Sequence, residues 1–201
     1  ICSVCGEELT MFGSKELKNG TLCRNCAKKI SQWITDEELK LKKVSSVKAH
    51  LVNREKNRAK LESFRDDLKA EGKYTIYMDT EKKMVAVSKK SDFRADNSDV
   101  IPVRLIKNVS VSVKPYEDTE NVDVYLEMDV RNRMFEKISF RVNEFPGLEK
   151  DSEELKEALE AGKGYIKALV ESGLVKGRKV KGDEQASRLI VLLEKLLSLL
   201  L

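Results

Sequence analysis

Three rhythms of apolar and polar positions succeed one another along the chain. Over residues 1–40 apolar positions are sparse, and Asn19-Gly20 reads as a two-residue hairpin turn between "KELK" and "TLC". "CRNCAKKISQWI" then sets Ala27, Ile30 and Ile34 at helical spacing, which predicts a helix opening at its first cysteines. Over residues 41–72, "SSVKAHLVNREKNRAKLESFRDDLKAEG" predicts a longer helix, with Val47, Leu51, Leu61, Phe64 and Leu68 three or four residues apart or at multiples of those steps. Ser45 or Ser46 is its expected cap and Gly72 its expected end. The centre, "NREKNRAK", is polar on every side, so the segment reads as a solvated connector; Arg54, Lys56, Arg58 and Lys60 could touch phosphate, but Glu55 and Glu62 break up the run and favour a solvated face.

From Tyr74 to Phe145 the period becomes two. "YTIYMD" and "MVAVS" alternate about a turn at "TEKK", and "NVSVSVK" sets Val109, Val111 and Val113 opposite Ser110 and Ser112. "VDVYLEMDV" aligns Val122, Val124, Leu126, Met128 and Val130, and "EKISFRV" aligns Ile138, Phe140 and Val142. "VIPVRLI" adds a strand whose Pro102 belongs on an edge or at a bend. Short alternating strands joined by tight turns argue for an antiparallel sheet curved over one core.

Phe145-Pro146-Gly147 stops the strands, and Asp151 with Glu154 reads as a capping box. Leu155, Ala158, Leu159, Ile166, Leu169 and Val170 then form an apolar stripe that Gly173 ends. A curved sheet followed by one amphipathic helix is the layout of a pleckstrin-homology-like domain, the helix closing an open barrel end. After a basic, glycine-spaced "KGRKVKG", Leu, Ile, Val or Ala fill 11 of the 16 positions from Ala186 to Leu201, which predicts an apolar tail helix. The expected fold is therefore α+β: a finger over 1–40, a connector helix over 41–72, a capped antiparallel β domain over 73–175, and a linker with tail helix over 176–201.

Composition changes this picture only slightly. An apolar fraction of 41% is enough for a packed core, and 38 basic against 34 acidic residues leave a net charge of only +4. No leader precedes the first cysteine and no run of about 18 apolar residues occurs, so a cytoplasmic protein is expected.

The chemistry sits at the head. Cys2 and Cys5 form one CxxC, Cys23 and Cys26 another, and 17 residues separate the pairs. Two residues between thiols let one tight turn aim both sulfurs at a single ion, and two such turns complete a tetrahedron. Gly6 suits the reversal such a knuckle needs, since it tolerates positive φ. Knuckle, hairpin and helix together describe a treble-clef finger. One structural Zn2+ is the expected ion, with a four-thiolate iron centre as the alternative. Four protein thiolates leave no position for water or substrate, so the ion is expected to be structural.

"CSVCG", "KNGTLC" and "CRNCAKK", followed by "VKAHLVNREKNRAKLESF", resemble a bacterial family of unknown function in which a short zinc-binding domain precedes a pleckstrin-homology-like region. The resemblance implies Cys2, Cys5, Cys23 and Cys26 as the zinc ligands and implies no particular activity. The tail resembles the first helix of a bacterial short C-terminal domain linked to oligomerisation.

Three functions follow as expectations. The first is a non-enzymatic adaptor that binds a protein partner or a second copy through the apolar tail. The second is a peripheral membrane module meeting anionic lipid through Lys82, Lys83, Lys89 and Lys90, with Glu81 and Asp92 offsetting them. The third is nucleic-acid binding through Arg24, Lys28 and Lys29 of the finger, against which stand the low net charge and the lack of an aromatic stacking surface. An enzyme is not expected. His50, the only histidine, has no nucleophile pattern near it and reads as a surface residue, and lone Trp33 reads as a cover for the metal site.

Overall fold

The computed structural model describes residues 1–89 and 91–175, so Lys90 and the tail lie outside the described residues. In the head, β1 (Lys15–Leu17) and β2 (Gly20–Leu22) form an antiparallel hairpin in which Leu17 pairs with Gly20. Its two-residue loop is thus Lys18-Asn19, one position earlier than the Asn-Gly signal predicts. Gly20 serves close approach instead. A β-carbon there would lie 2.5 Å from Ser3 Oγ and 2.7 Å from Val44 Cγ2, because the first cysteine loop and the following helix both close on it. Gly20→Ala is expected to cost about 1–3 kcal/mol, read as a lower denaturation midpoint; an unchanged midpoint would refute this packing.

The expected helix after the second cysteine pair is split in two. The first, α1 (Arg24–Ala27), is a single turn, and α2 (Asp36–Lys40) starts afresh at Thr35, whose side chain and that of Glu38 form a reciprocal capping box. The next helix, α3 (Val44–Glu62), is capped neither by Ser45 nor by Ser46. The Asn19 side chain in the β1–β2 loop accepts the Val44 N–H at 2.9 Å.

Helix α3 also stops well before Gly72, and Leu68–Ala70 is a strand, β3. The "RDDLK" segment has better partners than a further helical turn. The Arg65 N–H donates to Asp79 at 2.9 Å, and the Asp67 carboxylate accepts from both the backbone and the hydroxyl of Thr80. Nor is α3 a solvated connector. Val47, His50, Arg54, Asn57 and Leu61 are all buried, at steps of three and four, so one continuous face is covered even where its residues are polar.

The period-two region forms two antiparallel sheets. Strands β3, β4 (Thr75–Asp79), β5 (Met84–Ser88) and β6 (Val100–Pro102) pair in sequence order. Strands β7 (Ile106–Pro115), β8 (Val122–Val130) and β9 (Lys137–Arg141) make the second sheet. The sheets share an apolar cluster but, among the described residues, do not close into a barrel. The break follows Pro102, which sits on edge strand β6 and leads into a 3-10 turn over Val103–Leu105.

Clean alternation survives in β9 but not in β4, β5 or β8. The reason for β4 and β5 is a second apolar cluster on their other side, made by Leu61, Phe64, Tyr77, Ala86, Phe93 and Val100. Phe93 stacks on Tyr77 at 4.0 Å and meets Phe64 edge-on at 5.5 Å, so the C-terminal end of α3 and the loop after β5 cover what would otherwise be a polar face.

Helix α4 (Glu153–Glu171) lies across β3, β7 and β8. Its cap is Ser152, which accepts the Leu155 N–H at 3.1 Å, rather than the expected Asp151, which has a φ of +70°. Leu155, Ala158, Leu159 and Leu169 of the predicted stripe are buried, Val170 is exposed, and Gly173 ends the helix at a φ of +71°. No helix among the described residues is long and apolar enough to cross a membrane.

Candidate metal centre

All four cysteines are free thiols whose Sγ atoms lie within 4.8 Å of one another. Cys5 and Cys23 are 3.6 Å apart, far beyond the roughly 2.05 Å of a disulfide. Each knuckle is fixed by its own backbone. The Gly6 N–H donates to the Cys2 carbonyl across a tight reversal that places Gly6 at a φ of +81°, as its position after the first pair predicts. The Cys23 sulfur occupies the N-cap position of α1 and accepts the Cys26 N–H at 3.4 Å. The knuckles are joined through Ser3, which donates its N–H to the Thr21 carbonyl and accepts the Thr21 N–H on its hydroxyl.

Cys2, Cys23 and Cys26 are buried and Cys5 is exposed. Burial acts to raise the Cys2 thiol, but backbone amides of Cys5, Cys23 and Val4 favour its thiolate and bring it down to about 6. Burial and the neighbouring thiols push Cys26 up. The cluster therefore holds its protons unevenly. Four sulfurs holding one metal ion would have to shed these protons, so the affinity for such an ion would fall as the pH is lowered.

Trp33 belongs to the same apolar cluster as Cys2, Cys23 and Cys26. It is 8% exposed and faces Tyr74 at the entrance to β4, with ring centroids 6.2 Å apart. Tyr74 stacks on Phe140 of β9 at 4.7 Å, and Phe140 meets Tyr165 of α4 edge-on at 5.5 Å. This row of rings carries the head's packing into the sheets, and the buried cysteines belong to the same apolar cluster as the strand residues.

A buried polar junction runs beside it. His50, 5% exposed rather than at the surface, accepts the Ser31 N–H on Nε2 at 3.2 Å. The Ser31 hydroxyl donates to one oxygen of Asp99 at 2.7 Å, and the Arg54 guanidinium donates to the other at 2.9 Å. Arg54 also reaches the Lys29 carbonyl, and Asn57 bonds the Ser98 carbonyl and the Val100 N–H. Helix α3 thus holds the loop after α1 to the start of β6. Burial lowers the His50 pKa and Arg54 adds to the effect, with Asp99 partly opposing it, so the imidazole is neutral and free to accept.

The other predicted cations lie at two places, around β5 and at α1. Lys82 and Lys83 precede β5 and Lys89 follows it, about 20 Å from Lys83 at some 3.3 Å per residue. The Lys82 ammonium donates to the Ser63 carbonyl, and Lys90 lies outside the described residues. Arg24, Lys28 and Lys29 lie within or just after α1, with the Arg24 side chain against Gly13.

A family described as a domain of unknown function (DUF4428) matches residues 1–50, which span the four thiols, both short helices and the first turns of α3. No curated protein and no solved structure matches the chain.

Proposed function

We propose that the chain is a non-enzymatic adaptor in which one structural Zn2+ holds a treble-clef-like head against a pleckstrin-homology-like β domain. The observation that carries this reading is the continuity between the thiol cluster and the sheets. The buried cysteines share an apolar cluster with the strands, and the Ser31–Asp99–Arg54 junction runs alongside. Zinc fits the donor set. At a zinc–sulfur length of about 2.3 Å, a regular tetrahedron places its sulfurs about 3.8 Å apart, close to the 3.6 Å between Cys5 and Cys23. Four thiolates fill the coordination sphere, which supports a structural role over a catalytic one.

The order of four strands, three strands and one helix supports the pleckstrin-homology-like reading of residues 68–171. In this proposal the fixed pair of units presents surfaces, and the apolar tail assembles copies of the chain or grips a partner protein. Light scattering tests the assembly step. The full chain is expected to run above its monomer mass, and Leu193→Glu with Leu196→Glu to return it to the monomer. An unchanged mass in the double variant would sink tail-driven assembly.

A further inference from the structure

A cleft of about 680 Å³ opens between α3 and the β domain, within the usual size range of small-ligand sites. Besides Arg54, which is paired with Asp99, five cations from three separate segments line it: Lys56 and Lys60 of α3, Arg104 of the 3-10 turn, and Arg131 and Arg133 of the β8–β9 loop. Among the described residues the one lining acid is Asp99, whose two oxygens are taken by Ser31 and Arg54. None of the five cations is in an ion pair among the described residues.

The walls are fixed. Arg131 donates its N–H to the Leu105 carbonyl at 2.8 Å, which ties the β8–β9 loop to the turn bearing Arg104. The Met134 N–H donates to Asn132 at 2.9 Å and shapes the loop itself, while Asn57 holds the start of β6 to α3. The five cations are exposed and share the cleft with buried Ile101 and Met134, and like charges gathered this way repel one another less once an anion joins them.

We propose that this cleft binds a compact group carrying several phosphates. Single phosphates engage one or two cations, whereas five from three directions suit clustered negative charge, and arginine forks match phosphate oxygens two at a time. Nucleic acid fits less well. The cations come from segments that meet at one cleft, and among the described residues no Phe, Tyr or Trp lines it to stack a base. The site is distinct from the thiol cluster and does not depend on the adaptor reading.

Titration of the full, metal-loaded chain with sodium tripolyphosphate at low salt tests the proposal. Saturable binding of one anion per chain is expected, weakening as salt rises and raising the melting temperature. Arg131→Glu with Arg133→Glu is expected to weaken it about tenfold or more, without lowering the melting temperature of the free protein. Lys156→Glu with Lys163→Glu on the exposed side of α4 makes the same change in net charge and is expected to leave affinity within about twofold. No saturable binding, or equal loss in both double variants, overturns the proposal, and so does binding of duplex DNA without binding of tripolyphosphate. Vesicles carrying a phosphorylated inositol lipid distinguish the source. Cosedimentation lost in the Arg131/Arg133 variant assigns the phosphates to a lipid headgroup, and tripolyphosphate binding without cosedimentation assigns them to a free anion.

Discussion

Stripping the metal from the full chain at neutral pH is expected to unfold the head and carry the β domain with it, seen as a red shift of Trp33 emission together with loss of far-UV signal. The expected size of the effect follows from two magnitudes. A structural zinc site contributes about 10–16 kcal/mol to the fold that makes it, and a domain of this size is stable by about 5–15 kcal/mol in all. Residues 1–42 alone bury too little apolar surface to replace that contribution. Trp33 is the only tryptophan and lies against Tyr74, so its emission reports the contact between head and sheet.

Cys5 provides the sharpest test, because it is exposed while its three partners are buried. A Cys5→Ser variant removes one of the four clustered thiols and almost no packing, so it separates loss of the proposed coordination from loss of core. It is expected to destabilise the chain as severely as Cys23→Ser and to drop the bound zinc from about one per chain to a fraction of that. A Cys5→Ser protein that melts like the wild type, or a wild type that carries no tightly held metal, would overturn the metal assignment. Emission that shifts while the far-UV strand signal persists would leave the metal site standing but show the β domain to be independently stable.

The thiol cluster was legible because its information is local: two CxxC turns need only their own spacing to point inward. The strands were legible for a related reason, since alternation such as Val109, Val111 and Val113 reports one covered face. What escaped was produced by contacts distant in sequence. The middle of α3 looks solvated when scored by polarity, yet His50, Arg54 and Asn57 continue the three-and-four spacing of Val47 and Leu61, and spacing alone marks them as a buried face. The partners that make such burial tolerable, Ser31 and Asp99, lie 19 and 45 residues away from the groups they meet on the helix. Likewise Arg104, Arg131 and Arg133 look like scattered loop charges until a backbone bond from Arg131 to Leu105 brings their segments together. The β3 strand was lost to the helix pattern because Asp67 and Asp79 bond backbone far along the chain, which no periodicity records.

Asp99→Ala is expected to be the most damaging change outside the thiols. Arg54 and Asp99 have side chains only 10% and 12% exposed, so removing the carboxylate leaves a guanidinium in a poorly solvated place and the Ser31 hydroxyl without its acceptor. Breaking a buried pair on one side costs about 3–5 kcal/mol, which urea denaturation of the full chain would read as a lowered midpoint at unchanged slope. Replacing both partners with apolar residues, as in Arg54→Met with Asp99→Leu, should recover most of that loss, because the penalty comes from the stranded charge. A double variant no better than Asp99→Ala would instead locate the effect in the neutral bonds lost with the pair, from the Ser31 hydroxyl to Asp99 and from Arg54 to the Lys29 carbonyl. Acid offers a second reading of the same junction. Burial holds the His50 pKa below its unfolded value of about 6.5, so the unfolded chain takes up the proton first. The stability contributed by neutral His50 is therefore complete above that pH and is lost as the pH falls from there toward the folded value, where a protonated Nε2 would face the Ser31 N–H as a second donor. In His50→Gln, whose amide oxygen can take over the acceptor role, stability should fall less steeply than in the wild type as the pH drops below about 6.5; equal slopes would show that His50 does not control the acid response.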